Sequence, residues 1–301
     1  MINQISKLNL NKDTIVLKNE SLKKHTTFGV GGEAKILIIP KSNDDIIKIV
    51  TYSKKNNINL SFIGSGSNII ASDKGYKGII ISLKKAYNKI NFYDKEIYVQ
   101  AGAMLNSMVK KAINKGYKGF ESLVGVPGTV GGALIMNAGA HGSEISELFI
   151  SATTINNEGE INQYNKKDIK FSYRDSSFPK EELLLDARFK IVKGIKDEIK
   201  QQKKNVSIKR KTSQPLSYKS AGSIFKNPSN KIAAGYLIDK AGLKGLRIGD
   251  AEISQKHANF IINHGDAKSD EIIKLIKIMK DKVNNMFDVK LELEVKVIGD
   301  V

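Results

Sequence analysis

Gly125-Val-Pro-Gly-Thr-Val-Gly-Gly-Ala133, with Met136-Asn-Ala-Gly-Ala-His-Gly142 close behind it, places six glycines in the eighteen residues from Gly125 to Gly142. Glycine is needed where the backbone takes a positive φ, or where a ligand or another backbone comes too close for a Cβ. A plain turn does not need so many, although close packing of helix or strand remains open as their use. About sixty residues upstream, Phe62-Ile-Gly-Ser-Gly-Ser-Asn-Ile-Ile70 sets glycine and serine directly after an apolar run. Backbone N–H groups there can turn outward to cradle a pyrophosphate, or the segment is an ordinary strand-to-loop turn. A dinucleotide fingerprint starting at Gly64 requires glycine at its sixth position, where this chain has Ile69. A Rossmann nucleotide site is therefore disfavoured.

Outward from these loops, short β-like runs alternate with amphipathic helical patterns, which gives a mixed α+β class. Lys35 to Ile39, Leu60 to Ile63, Ile79 to Leu83 and Ile97 to Ala101 read as strands. Ser42 and Asp45 form a capping pattern before Ile46, Ile47, Ile49 and Val50. A second helix follows Leu105, with Met108, Val109, Ala112 and Ile113 on one face and Gly116 to end it. Lys193 to Lys211 is rich in Lys, Gln and Arg, with Ile195 and Ile199 as a thin apolar stripe, and reads as a helix joining two domains. Beyond it, Ile261 to Asn263 reads as strand. Ser269 reads as the cap of a helix with Ile272, Leu275, Ile276, Met279, Val283 and Met286 on its apolar face. From Val289 to Val297 apolar and charged residues alternate, as in a strand with Glu292 and Glu294 on its outer face.

With 301 residues, 41% of them hydrophobic, the chain can bury cores for two or three domains. No run is long and apolar enough to span a bilayer, and the N-terminus lacks a signal-peptide pattern, so a cytoplasmic protein without membrane insertion is expected. The absence of cysteine excludes disulfides, Cys-bound zinc or iron–sulfur sites, thiol nucleophiles and flavin tethered through sulfur. The four histidines fall in no metal-ligand spacing, and no metal is expected. A net charge of +18 attracts anions, either small ligands or nucleic acid, but the lysines are spread along the whole chain. RNA-reading aromatic signatures and zinc-finger spacings are absent, so no specific nucleic-acid partner is expected.

Further motifs add to the glycine loops: Thr26-Thr-Phe-Gly-Val-Gly-Gly32, Ser172-Tyr-Arg-Asp-Ser-Ser177, Gln214-Pro215, Ala221-Gly-Ser-Ile-Phe-Lys-Asn-Pro228, Ala234-Gly-Tyr-Leu-Ile-Asp239, Lys256-His-Ala-Asn-Phe260 and Leu293-Glu-Val-Lys-Val-Ile-Gly299. Together they resemble the UDP-N-acetylenolpyruvoylglucosamine reductase (UDP-N-acetylmuramate dehydrogenase) family in its short type, over about Lys23 to Gly299. The resemblance implies a vanillyl-alcohol-oxidase-like (PCMH-type) FAD-binding fold. Its FAD domain would span 1–192 in two α+β lobes, about 1–83 and 84–192, followed by a substrate domain at 193–301. It also implies noncovalent FAD, NADPH as hydride donor, and reduction of UDP-N-acetylglucosamine enolpyruvate to UDP-N-acetylmuramate in peptidoglycan precursor synthesis; the sequence leaves the oligomeric state open, with a monomer favoured. His141 stands where the family often has Tyr, and a histidine could in principle carry a covalent flavin, although a local hydrogen bond is the plainer use.

The resemblance assigns cofactor contacts to Gly64, Ser65, Gly66, Ser67 and Asn68, and to Gly125, Pro127, Gly128, Thr129, Gly131, Gly132, Asn137, Gly139 and Ala140. It assigns substrate contacts to Tyr173, Lys226, Asn227, His257 and Asn259, and catalysis to Arg174, Ser223 and Glu294. Hydride arriving at the vinyl carbon builds an enolate, which needs a cation and then a proton on the adjacent carbon. Guanidinium suits the first task and a positioned hydroxyl the second. By residue type alone, Arg174 also reads as a surface ion pair with Asp175, Ser223 as a capped turn and Glu294 as a solvated carboxylate. Another flavin oxidase or dehydrogenase of the same fold, or a basic nucleic-acid-binding protein, stays open as an alternative.

Overall fold

The computed structural model describes residues 5–140 and 142–299, so the expectation for His141 lies outside the described residues. The chain divides into two compact units. One takes the residues up to Asn19 with Ile36–Ser65 and Gly78–Lys209, and the other takes Glu20–Lys35, Gly66–Lys77 and everything from Arg210. The resemblance implies a single cut at 192/193, a different division. The cut at 209/210 falls inside a helix instead, and two N-terminal segments fold with the C-terminal unit.

Along the first third lie β1 (Ile15–Ser21), β2 (Glu33–Ile39), α1 (Asn43–Lys55), β3 (Leu60–Ile63), β4 (Ile69–Ala71) and β5 (Tyr76–Ser82). Four of these strands form a sheet in the order β1-β2-β5-β3, with Leu60 of β3 parallel to Ile79 of β5. The expected capping box starts α1: Ser42 Oγ accepts the Asp45 N–H at 3.2 Å, and the Asp45 carboxylate accepts the Ser42 N–H at 3.2 Å. Ile46, Ile49 and Val50 then face the core, each fully buried one contributing roughly 1.5–3 kcal/mol.

Next come β6 (Ile90–Phe92), β7 (Glu96–Gln100), α2 (Leu105–Asn114), α3 (Val130–Ile135), β8 (Gly139–Ala140), β9 (Ser143–Glu144), β10 (Phe149–Ile155) and β11 (Ile161–Asn165). They are followed by β12 (Phe171–Ser172), β13 (Asp175–Ser176), β14 (Leu183–Lys190) and α4 (Lys196–Ser213). A second, antiparallel sheet runs β11-β10-β14-β7-β6. Alternation along β7 buries Ile97 and Val99, as a strand with one covered face requires. The first sheet draws on residues 15–82 and the second on 90–190, and both pack on one apolar cluster that includes Ile36, Ile79, Val99, Met108 and Phe189. On α4, Ile199 and Val206 are buried, whereas Ile195 lies before the helix and is exposed, so the expected stripe is shifted.

The second unit adds α5 (Ala234–Lys240), β15 (Arg247–Ile248), β16 (Ala251–Ile253), β17 (Ile261–Asn263), α6 (Ser269–Phe287) and β18 (Lys296–Ile298). β15-β16-β17 is an antiparallel sheet, and β18 lies parallel to β4 with Lys296 opposite Ile69. Its core joins Phe28, Val30 and Ile70 to Ile224, Phe225, Ile253, Leu275 and Met279. Three sequence expectations are corrected here. Ser269 is the first residue of α6 rather than its cap, and the helix start is satisfied by Asp73, whose carboxylate accepts the Ser269 N–H at 2.6 Å. Met286 is half exposed because the apolar face of α6 ends at Val283. Val289 to Val297 is one continuous strand in pattern only: regular pairing starts at Lys296, and an isolated bridge joins Leu293 to Phe225.

Candidate active site

In the first unit the two glycine loops meet. A Cβ on Gly64 would sit 2.3 Å from Thr129 Oγ1, so only glycine lets the loops approach this closely. Thr129 caps α3, accepting from Gly132 N, while the N–H groups of Val130 and Gly131 bond Ala103 O and Ala101 O, both at 2.9 Å. Those bonds fix the loop to the end of β7. The glycines differ in what they are for. On Gly131 a Cβ would meet Ala101 Cβ at 2.9 Å, and on Gly139 it would meet Ser143 O at 2.4 Å, so both are demanded by packing within the protein. Gly132 is exposed, and a Cβ there would meet only Thr129 Oγ1 at 3.5 Å. Gly125, whose N–H bonds Asn106 Oδ1, and Gly128 take positive φ on either side of Pro127.

Two buried polar atoms beside these glycines have no hydrogen-bond partner among the described residues: Ser65 Oγ and Asn137 Oδ1. Asn137 is fully buried at positive φ, and its Nδ2 donates to Glu144 Oε2 at 2.5 Å and to Ser172 O at 2.9 Å. Both protons are thus used and the carbonyl end is left over. An unmet buried acceptor costs about 1–3 kcal/mol, which a ligand donor would recover. The bare ledge at Gly132 and these two oxygens fit a cofactor carrying a pyrophosphate and hydrogen-bonding ring atoms.

Asn137 also ties this region to the hairpin of β12 and β13, whose two-residue turn is Tyr173-Arg174. Arg174 sits at φ +57°, its Nη2 donates to Gly139 O at 2.8 Å, and its guanidinium lies 5.0 Å from the Tyr173 ring centre. Asn137, Gly139, Tyr173 and Arg174 are therefore one cluster, and Ala140 pairs with Ser143 at its edge.

In the second unit Gly66 lies on the His25–Thr27 turn, where a Cβ would meet His25 O at 2.0 Å. After Ser67, Asn68 Nδ2 donates to Glu294 O at 3.0 Å, and Asn68 O accepts from Lys296 N at 2.9 Å. Glu294 N donates to Ile224 O at 2.8 Å, one residue after Ser223. Ser223 is half-buried and follows Gly222, which has φ +78° and open space where a Cβ would stand. Lys226 pairs with Glu292 at 2.7 Å, and Asn227 Oδ1 accepts the Ala234 N–H that starts α5 at 3.1 Å. The His257 ring packs 4.8 Å from Phe260, and its Nδ1 accepts Asn259 N at 3.3 Å. Burial lowers the imidazole pKa, helped by the charge of Lys244, which keeps His257 neutral at pH 7. Asn259 is buried, its Oδ1 accepting the Phe225 N–H and its Nδ2 donating to the Phe225 carbonyl.

Two contributors escaped the sequence reading. Thr27 Oγ1 donates to Ser220 O at 2.7 Å, and the Glu144 carboxylate orients Asn137. Thr27 lies inside a quoted motif but nothing in residue type separates it from Thr26, and Glu144 carries no signal at all.

The fold and its glycine loops define an FAD-binding protein with a distinct C-terminal domain: residues 34–164 match the family described as FAD binding domain. Residues 214–298 match the family described as UDP-N-acetylenolpyruvoylglucosamine reductase, C-terminal domain. Reductases of that name from Alkaliphilus oremlandii and Clostridium tetani are 38% and 42% identical, over 95% of this chain and 94% and 92% of theirs. The crystal structure of the Thermus caldophilus enzyme is 32% identical with a TM-score of 0.79, covering 95% of this chain and 99% of that one. The chain belongs to the UDP-N-acetylenolpyruvoylglucosamine reductase family. No helix among the described residues is long and apolar enough to cross a membrane, and no cluster of His, Asp or Glu among them could hold a metal ion.

Proposed function

We propose that this protein uses NADPH to reduce UDP-N-acetylglucosamine enolpyruvate to UDP-N-acetylmuramate, a step of peptidoglycan precursor synthesis, in the cytoplasm where NADPH and nucleotide sugars are made. When bound, FAD supplies the hydride relay from NADPH to the terminal vinyl carbon. Ser65 Oγ, Asn137 Oδ1 and the backbone at Gly64 and Gly128–Gly132 hold the cofactor. Arg174, pinned by Gly139 O and its Tyr173 neighbour, meets the substrate carboxylate with its guanidinium and stabilises the enolate as it forms.

Ser223 gives its hydroxyl proton to the carbon next to the one that received hydride, and water replaces that proton. Glu294 holds the water or shares the charge beside it. Lys226 exchanges its rim partner Glu292 for a substrate phosphate, and His257 contributes as a neutral imidazole. Asn227 follows Lys226 in the chain and contributes to the same binding of the substrate. The observation that carries this reading is the bond from Glu294 N to the carbonyl next to Ser223, inside a C-terminal domain of this family. The test is steady-state turnover: NADPH consumption should require the enolpyruvyl sugar nucleotide and match product one for one. Consumption at the same rate without that substrate contradicts the reading.

A further inference from the structure

Asn259 is 3% exposed, and its side chain does the work of a strand. Its Oδ1 accepts the Phe225 N–H at 3.0 Å and its Nδ2 donates to Phe225 O at 2.8 Å, while its own carbonyl accepts the Ile224 N–H at 2.8 Å. Ser223 bridges Phe260, the next residue. On the other side of the same short segment, Ile224 O accepts from Glu294 N at 2.8 Å. The segment bearing Ser223 is thus held from one side by the buried Asn259 amide, the Asn259 carbonyl and the Phe260 bridge, and on its other side it accepts the Glu294 N–H. Only an amide presents a donor and an acceptor in this arrangement. Leucine offers neither, and an ionised aspartate turns an acceptor towards the Phe225 carbonyl.

We infer that Asn259 is a positioning residue that sets where the Ser223 hydroxyl meets the substrate carbon. The inference rests on the reading of Ser223 as proton donor. Proton transfer to carbon is sensitive to placement, and a shift of about 1 Å can cost on the order of 10²-fold in rate.

The test is single-turnover kinetics of the FAD-loaded enzyme with Asn259→Asp and Asn259→Leu, each alone and combined with Ser223→Ala. Alone, either variant should leave flavin reduction by NADPH at the unmodified rate and slow reoxidation by UDP-N-acetylglucosamine enolpyruvate by about 10- to 100-fold. In the Ser223→Ala background the same changes should add less than about threefold, because a group acting through Ser223 has nothing left to position. Equal slowing in both backgrounds overturns the inference, as does an Asn259 variant that reoxidises at the unmodified rate. If Ser223→Ala alone leaves reoxidation untouched, the proton-donor reading fails first and takes the inference with it. Should neither Asn259 variant hold FAD, amide exchange in the unmodified holoenzyme decides: a Phe225 N–H as slow as core amides supports the clamp, and exchange at exposed-loop rates overturns it.

Discussion

A hydroxyl is a weak acid, so Ser223 serves as a proton donor only towards a strongly basic carbon and only when held in place. Ser223→Ala should therefore keep its FAD and its rate of reduction by NADPH, while reoxidation by the enolpyruvyl substrate slows by a factor on the order of 10² or more. Stopped-flow traces in which both half-reactions slow equally would remove Ser223 from that role. Gly131 and Gly132 make a second residue-scale pair. Gly132→Leu should fold and lose FAD, since its side chain enters open space, whereas Gly131→Ala should clash with Ala101 and lose about 1–3 kcal/mol of stability. Flavin content and urea unfolding separate the two, and full FAD retention by Gly132→Leu contradicts the placement of the cofactor. The two glycines are adjacent and alike in the sequence. What divides them is which atoms lie where a Cβ would be, and spacing does not carry that.

Where local chemistry decides an element, the sequence was legible. Ser42 and Asp45 announced α1, the periodicity from Leu105 announced α2, and Leu60 to Ile63 is β3 as read. The pairing of β4 with β18 was not legible, because the partner strands are separated by most of the chain and each is too short for a pattern. Ser269 was misread as a cap because its true partner, Asp73, lies in a distant segment. Asp45 gives the test at this scale. Burial alone would raise its pKa, but the Asn11 N–H at 2.8 Å, the Thr14 hydroxyl at 2.7 Å and the Ser42 hydroxyl and N–H outweigh burial and lower it. A lowered carboxylate stabilises the fold above its unfolded pKa of about 4, and that stability is lost as pH falls through the folded value. Asp45→Asn should thus cost about 1–3 kcal/mol at pH 7 in denaturant unfolding, with the gap to the unmodified protein closing below about pH 4. A gap independent of pH contradicts this.

Across the whole molecule, the charge of +18 favours anionic ligands without selecting one. UDP-sugar affinity should fall with added salt as screening shortens the Debye length to about 8–10 Å, and duplex DNA should bind weakly without sequence preference in the same titration. A tight, sequence-selective DNA complex at physiological salt would count against an enzyme-only role. Composition could not place the second unit, since part of it comes from Glu20–Lys35 and Gly66–Lys77, far from the C-terminal residues they pack with. The account stands on the chain reducing this one substrate, which a single anaerobic experiment reads directly. Holoenzyme bleached with one equivalent of NADPH is mixed with UDP-N-acetylglucosamine enolpyruvate. The flavin absorbance should return within a turnover, with one equivalent of UDP-N-acetylmuramate formed. Flavin that stays reduced with this substrate, while other acceptors reoxidise it, would contradict the account.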